Sequence, residues 1–231
     1  DPDHIEALKT LATYYNAGGD SKKAADYIDR AKKIAIRKGG SIDLLKCNIV
    51  EAYVWHDWDM AVRNLESLLE ETPGDIRAHV NLGYVLSRYK GDYDRAIRLF
   101  EKAISLDPEN GHGLTNAAWN HMGNALLYSG RFDDAMEAFE KYKALSPGSP
   151  DPLNSIAGAC CLSGRYDEAI RITEECIAGN NHNFKFFEIL GRSYLAKGQW
   201  RKAADAFNNY IGASPSKGYK TTGQVCLAQL Y

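Results

Sequence analysis

The sequence has no apolar run long enough to span a bilayer and no excess of charge of either sign. Its 28 Lys and Arg residues and 30 Asp and Glu residues leave a formal net charge of −2. Nucleic-acid-binding proteins usually carry a basic patch or a recognisable reading motif, and the sequence shows neither. A helix needs about 20 apolar residues to cross the hydrocarbon core of a membrane. We therefore predict no nucleic-acid partner and no membrane segment in this fragment.

The five cysteines form no metal-binding or redox motif. None belongs to a CxxC pair, and none has a His partner at zinc spacing, so no metal and no other cofactor is predicted. Their number is odd, and the adjacent Cys160 and Cys161 are poorly placed to bridge each other, which argues against a disulfide framework. Cys160 and Cys176 are interpreted as small apolar core residues. The reducing compartment that this implies favours a cytoplasmic location.

Catalytic motifs are absent as well. The chain has no G-x-S-x-G, P-loop, H-E-x-x-H or G-x-G-x-x-G pattern. Acidic pairs such as Asp133 and Asp134 follow the glycine of a predicted hairpin, where carboxylates stabilise a helix N-terminus. We therefore assign no catalytic residue and predict that the chain is not an enzyme.

Internal repetition dominates the sequence. Three stretches that end in Pro108, Pro147 and Pro215 share one pattern. Each has a glycine, then a second glycine seven or eight residues later, and then Ala, Phe and a final Ala or Tyr at positions i, i+4 and i+7. In the last copy these residues are Gly191, Gly198, Ala203, Phe207 and Tyr210. The spacing places Ala, Phe and Tyr on one face of a helix, while the first small residue lets two helices cross closely; in the middle copy Gly123 is expected to face Ala135. A period of about 34 residues is typical of stacked helix pairs.

The pattern resembles the tetratricopeptide repeat over nearly the whole chain. The resemblance implies an all-α, right-handed α-solenoid of helix-turn-helix repeats. We place six repeats at about residues 5–38, 42–75, 76–110, 116–149, 150–183 and 184–217. Residues 1–231 are predicted to form a single solenoid domain that is a fragment of a longer protein.

Residues 218–231 are predicted to start a further repeat and to act as a capping helix. Gly218 to Lys220 would form a connector before a helix from about Thr221. Leu227, Leu230 and Tyr231 of this helix are expected to cover Phe207 and Tyr210, because an uncovered repeat face would leave a large apolar patch.

Two insertions interrupt the repeat. One residue is added near Lys90, and five residues, Gly111 to Thr115, are added before repeat four. The longer insertion has two interpretations. It could form a longer loop or an extra helical turn, or it could be a contact point for a partner, since insertions in repeat proteins often map to the binding face.

The resemblance also implies where a ligand would bind, because the first helix of each repeat lines a concave groove. The predicted peptide-binding residues are Lys9, Arg77, Asn81, Tyr84, Arg88, Asn120, His121, Asn124, Tyr128, Asn154, Lys185 and Arg192. This polar and aromatic set carries more positive than negative charge and suits an extended peptide. Members of this family that bind the C-terminus of a chaperone hold its carboxylate in a clamp of Lys, Asn and Arg side chains. At the clamp positions, repeats one to three match only in part, with Lys9, Thr13, Cys47, Arg77 and Asn81.

The favoured function is a protein-protein interaction scaffold that binds an extended peptide or partner segment in its groove, with a partner of unknown identity. One alternative is a regulatory or substrate-recruiting arm of a larger enzyme, such as a kinase, cyclase or glycosyltransferase. Another is a self-assembling scaffold that associates through exposed repeat ends.

Overall fold

The computed structural model describes residues 4–179, 183–215 and 217–228, and every regular element in these ranges is helical. The helices are α1 (Ile5–Ala17), α2 (Ser21–Lys38), α3 (Ser41–Trp55), α4 (Trp58–Glu71), α5 (Ile76–Val85), a π-helical turn (Leu86–Lys90), α6 (Tyr93–Leu106), α7 (Thr115–Tyr128), α8 (Phe132–Leu145), α9 (Asp151–Leu162), α10 (Tyr166–Ala178), α11 (Phe184–Ala196), α12 (Trp200–Ala213) and α13 (Lys217–Ala228). Within the described ranges, no helix is both long enough and apolar enough to cross a lipid bilayer.

The chain divides into two compact units, Asp1–His121 and Met122–Tyr231, with the boundary inside α7. In the first unit α1 packs on α2, α3 on α4 and α5 on α6, while α2 with α3 and α4 with α5 join successive pairs. In the second unit α9 packs on α10 and α11 on α12, and α10 with α11 joins these pairs. Within each unit, successive helix pairs therefore bury their apolar faces against one another.

Short side chains and left-handed residues set the helix boundaries. Asp20, Asp57 and Asp92 precede α2, α4 and α6, and each carboxylate accepts a hydrogen bond from the backbone N–H three residues later, at 2.8–3.3 Å. Gly91 ends the π-helical turn with φ +68°. At the matching position after α3 the chain has His56, which adopts a left-handed φ of 56°. The second repeat thus keeps the same helix end without glycine.

The small residue of the first helix makes room for a phenylalanine of the second helix. A Cβ atom added to the glycine would lie 2.5–2.7 Å from a ring carbon of the phenylalanine in three repeats, and all three rings are fully buried. The pairs are Gly83 with Phe100, Gly123 with Phe139, and Gly191 with Phe207. The atoms nearest to Gly123 therefore belong to Phe139, one turn beyond the Ala135 that the sequence suggested.

The residue inserted near Lys90 is absorbed by the π-helical turn. Gly83 and Phe100 are 17 residues apart, whereas the other two Gly-Phe pairs are 16 residues apart. A π-helical turn accommodates one extra residue per turn and occurs often at functional sites. It preserves the core contact of the third repeat and changes only the direction of the side chains in the turn.

The insertion before repeat four forms a hydrogen-bonded loop, and no helical turn is added, because α7 begins only at Thr115. The Asp107 carboxylate accepts bonds from the backbone N–H groups of Gly111 and His112, at 2.8 and 2.9 Å. The Asn110 side chain accepts from Thr115 N–H at 2.9 Å, and the Thr115 hydroxyl donates to the carbonyl of Asp107. The first interpretation of this insertion, a longer loop, describes its backbone.

Asp107→Asn is expected to lower the melting temperature at neutral pH. The N–H groups of His112 and Gly111 hold the pKa of Asp107 below its ordinary value. A lowered folded-state pKa contributes stability above the unfolded pKa, which is about 3.9 for Asp, and this contribution is lost as the pH falls through the folded-state pKa. The melting temperatures of parent and variant should therefore converge in acid. Glu109→Gln, which removes one exposed charge from the same loop, is the matched control; an equal effect of both substitutions would contradict the argument.

The last helix covers the end of α12. Cys226 is buried in a cluster with Leu190, Ala203 and Phe207, and Leu227 packs against this cluster. Because α13 begins at Lys217, Gly218 to Lys220 belong to its first turn, and the predicted connector is wrong. Leu230 and Tyr231 lie outside the described residues.

Candidate peptide-binding groove

A cavity of about 500 Å³ opens in the first unit where α1, α3 and α5 lie side by side. Its rim carries charged and polar side chains, whereas its floor is apolar. The lining residues are Glu6, Lys9, Thr13, Lys46, Ile49, Val50, Tyr53, Leu65, Leu68, Asp75, Arg77, Ala78 and Asn81. We call this cavity the groove. Lys9, Arg77 and Asn81, predicted from the sequence, lie together around it.

Lys46 and Tyr53 of the groove were missed by the sequence analysis. Both lie on α3, in the weakest copy of the repeat, where Ile49 replaces the usual small residue. That departure obscured the register of the inward-facing positions. The signal that could have found them is their spacing from Ile49 and Val50, since residues three and four apart share a helix face.

The cations of the groove are only partly neutralised. Lys9 Nζ lies 2.6 Å from Glu6 Oε1, and this bond is the main reason that the pKa of Glu6 is lowered. Asp75 accepts a 2.9 Å hydrogen bond from Ala78 N–H at the start of α5. Among the residues that the structure describes, Lys46 and Arg77 have no carboxylate within ion-pair distance, and the Asn81 side chain makes no hydrogen bond. These three side chains are available to a ligand.

The carboxylate-clamp position on α3 is unusable. Cys47 is fully buried and does not line the groove. Burial raises the pKa of its thiol to about 11, so it stays neutral. The amide that a clamp would need there to bind a terminal carboxylate is missing.

Four aromatic side chains continue the groove toward the C-terminal ends of α3 and α5. The Trp58 and Tyr89 rings stack with centroids 3.7 Å apart and planes 7° apart. Tyr53 lies 6.0 Å from Trp58, and Tyr84 meets Tyr89 edge-on at 5.9 Å. We call Tyr53, Trp58, Tyr84 and Tyr89 the aromatic wall. Tyr53 belongs to both surfaces, so the wall adjoins the cationic rim.

The aromatic wall depends on the π-helical turn. Tyr89 lies in that turn, and the residue is 41% exposed although one face of its ring covers Trp58. The pKa of Tyr53 is raised to about 12, mainly because the side chain is buried and to a smaller extent because the Tyr84 and Tyr89 hydroxyls lie nearby. Tyr53 is therefore uncharged at neutral pH, and the wall presents ring surface together with hydroxyl groups.

Other predicted residues of the first unit lie near this wall. The His121 ring is 5.0 Å from Tyr84 and 6.0 Å from Phe100. Burial lowers the pKa of His121, so the imidazole is neutral at pH 7. Asn120 is half-buried on α7, and Arg88 is exposed in the π-helical turn.

In the second unit the predicted residues lie on the first helix of each pair. Asn124 is half-buried and Tyr128 exposed on α7, and Lys185 is exposed on α11. Arg192 forms a 3.0 Å ion pair with Glu188 on its own helix. Asn154 is half-buried on α9, and its Oδ1 is buried without a hydrogen-bond partner in the described part of the chain. A single groove running through both units stays a prediction.

The second unit also has a larger cavity, of about 1210 Å³, between α8, α9 and α10. The charged side chains at its rim pair within their own helices: Lys143 with Glu140 at 3.3 Å, and Arg171 with Glu175 at 3.1 Å. It lies largely against the second helices of two repeats, where the sequence predicted no binding residues.

Comparisons with known proteins agree with this architecture. Residues 73–147 match the tetratricopeptide repeat family, and residues 128–210 match subunit 3 of the anaphase-promoting complex, or cyclosome. The chain is 24% identical over 225 residues to Superkiller protein 3 of Schizosaccharomyces pombe, covering 91% of the chain and 16% of that protein. It is 30% identical over 132 residues to the CTR9 homolog of Arabidopsis thaliana, covering 54% of the chain and 12% of that protein. The chain thus spans less than a fifth of either relative.

Solved structures show the same fold. The crystal structure of PilW, a type IV pilus biogenesis factor, has a TM-score of 0.74 at 18% identity, covering 94% of this chain and 97% of that one. A tetratricopeptide repeat protein from Parabacteroides merdae has a TM-score of 0.67 at 15% identity, covering 98% of each chain. These likenesses and the helix pairs show an all-α solenoid. The fold and the match over residues 73–147 identify tetratricopeptide repeats in this chain.

Proposed function

We propose that the first unit is a protein-interaction module that binds an extended segment of a partner protein in the groove. The observation that carries this proposal is a set of three side chains, Lys46, Arg77 and Asn81, that line an open cavity and form no hydrogen bond or ion pair with another described residue. Leaving such groups unpaired contributes nothing to the fold. An extended peptide could supply carbonyl groups and carboxylates to all three, because its backbone hydrogen-bonding groups are not used in secondary structure.

The walls of the groove fit the same ligand. Val50 provides half-exposed apolar area above the buried side chains of Ile49, Leu65 and Leu68, and Asn81 can bond the backbone of the segment without reading its sequence. Affinity would then come from buried apolar surface and a few fixed hydrogen bonds. The chain would then act as a binding scaffold that holds a partner protein.

Selection of peptide ligands tests the proposal. A library of random twelve-residue segments, displayed between two fixed flanks, is selected on the folded chain, and the dissociation constants of the winners are measured by fluorescence anisotropy. The double variant Arg77→Ala with Asn81→Ala is expected to weaken binding about tenfold or more, since a hydrogen bond to a charged group is worth about 1.5–3 kcal/mol. Its helicity should be unchanged, because neither side chain holds the fold together.

The matched control is the double variant Arg98→Ala with Asn208→Ala. It removes the same two side-chain types from exposed positions on α6 and α12. This control should bind like the parent chain. Ligands that are indifferent to the groove variant would place binding elsewhere, and light scattering across a concentration series would then test the self-assembly alternative.

A further inference from the structure

The groove has a cationic end and an aromatic end at a defined separation. On α3, Lys46 and Tyr53 are seven residues apart, and on α5 Arg77 and Tyr84 are also seven residues apart. At a rise of 1.5 Å per residue, seven residues correspond to about 10 Å along each helix. An extended peptide advances about 3.3 Å per residue, so about three of its residues would cover this distance.

The cationic end is complementary to a carboxylate. Lys46 and Arg77 line the groove without an ion-pair partner in the described ranges, whereas the two acidic residues of the lining are engaged by Lys9 and by the N-terminus of α5. An Arg guanidinium binds a carboxylate through two parallel hydrogen bonds, and this geometry discriminates against a neutral amide. A partner segment would therefore place Asp or Glu at this end.

The aromatic end is complementary to another aromatic ring. The stack of Tyr89 on Trp58 and the edge-on contact of Tyr84 with Tyr89 are the arrangements in which aromatic rings attract each other. The part of Tyr89 that stays exposed leaves ring surface available to one more ring. No carboxylate or cation is needed for this contact, because ring surfaces alone make it.

The carboxylate is better supplied by a side chain than by a chain terminus. Terminal carboxylates in related repeat domains are held by amides as well as by cations, and here Cys47 is buried and Thr13 replaces another of those amides. Thr13 donates its hydroxyl to the carbonyl of Lys9 at 3.0 Å, so its proton is already used. Cations without these amides suit the carboxylate of an internal residue.

We propose that the groove selects an internal, extended segment in which Asp or Glu lies three residues from an aromatic residue. This inference rests on the proposed function, because it names the chemistry of the segment that the groove binds.

The experiment uses capped synthetic peptides of twelve residues in a Gly-Ser background, measured by fluorescence anisotropy on the whole chain. In the first peptide Glu and Phe are three residues apart. In two others they are one and six residues apart. Each spacing is synthesised with Glu before Phe and with Phe before Glu. Glu→Gln and Phe→Ala versions complete the set. The Glu-x-x-Phe peptide, in one of its two orders, is expected to bind about tenfold more tightly than its Gln version and than either altered spacing.

Double-mutant cycles connect each end of the peptide to its end of the groove. The loss caused by Glu→Gln in the peptide should largely disappear with Arg77→Gln, and the loss caused by Phe→Ala should largely disappear with Tyr84→Leu. Each variant must keep the circular dichroism of the parent chain. Arg98→Gln on α6 and Phe132→Leu on α8 are the controls, and both should retain the full preference.

The possible outcomes separate the two proposals. Library ligands that depend on Arg77 and Asn81 but lack the acidic-aromatic pair would overturn this inference and leave the proposed function standing. A ligand set that needs a free C-terminal carboxylate would overturn it as well. Indifference of every ligand to the groove variants would overturn both proposals.

Discussion

Gly123→Leu is expected to lower the free energy of unfolding by about 1–3 kcal/mol. A Cβ atom at Gly123 would lie 2.5 Å from Phe139 Cε1 and 2.7 Å from Phe139 Cδ1. The Phe139 ring is fully buried, so it cannot swing aside into solvent. The two helices would have to separate, and the core around the ring would lose its close contacts. Urea denaturation of parent and variant, read by circular dichroism, measures the change.

Gly212→Leu is the matched control for this substitution. Gly212 is also a helical glycine, but it is exposed on α12, and an added Cβ would meet nothing within 4 Å. Replacing an exposed helical glycine removes backbone freedom from the unfolded chain and should be neutral or stabilising by up to about 1 kcal/mol. Equal denaturation midpoints for Gly123→Leu and the parent would show that α7 and α8 do not cross at this glycine.

A rescue variant sharpens the test. Where a repeat lacks Phe at the crossing, it also lacks Gly: the corresponding pairs are Ala12 with Ile28, Ile49 with Leu65, and Ala157 with Thr173. Gly123→Ala combined with Phe139→Leu should therefore be less destabilising than the sum of the two single substitutions. Simple additivity would mean that the two positions do not share one space.

Removal of residues 217–231 is expected to lower the melting temperature and to promote self-association. These residues include α13, whose Cys226 and Leu227 pack into the cluster that contains Phe207 and Tyr194. Without α13 this apolar surface would face solvent, and exposed apolar patches recruit partners or aggregate. Scanning calorimetry gives the melting temperature, and light scattering across a concentration series gives the state of association.

Two substitutions within α13 distinguish loss of packing from loss of residues. A Cβ at Gly223 would lie 2.5 Å from Ile211 and 2.8 Å from Tyr210, so Gly223→Leu should force α13 away from α12 and reproduce the effect of the deletion. Val225→Ala changes an exposed side chain of the same helix and should have little effect. A shortened chain that stays monomeric and equally stable would show that α12 needs no cover.

The residues that line the groove were predictable to the extent that they follow the repeat. Lys9, Arg77 and Asn81 were found from the sequence because they occupy recurring positions on first helices, and they line one cavity. Lys46 and Tyr53 were missed because α3 departs from the pattern at Ile49. The sequence also could not show which cations form an ion pair. Lys9 and Lys46 are the same residue type, and only the structure shows that Lys9 pairs with Glu6.

The sequence by itself determined the helix pairs and their core, because apolar residues recur at helical spacing in every repeat and, in three of them, a glycine leaves room for a buried Phe. Only the tertiary structure decided how the irregular residues are used. The extra residue near Lys90 could have lengthened a loop, but it forms a π-helical turn that stacks Tyr89 on Trp58. The helix expected from Thr221 begins at Lys217 instead, where it packs on α12. Both outcomes depend on contacts between residues distant in the chain, which the repeat pattern does not encode.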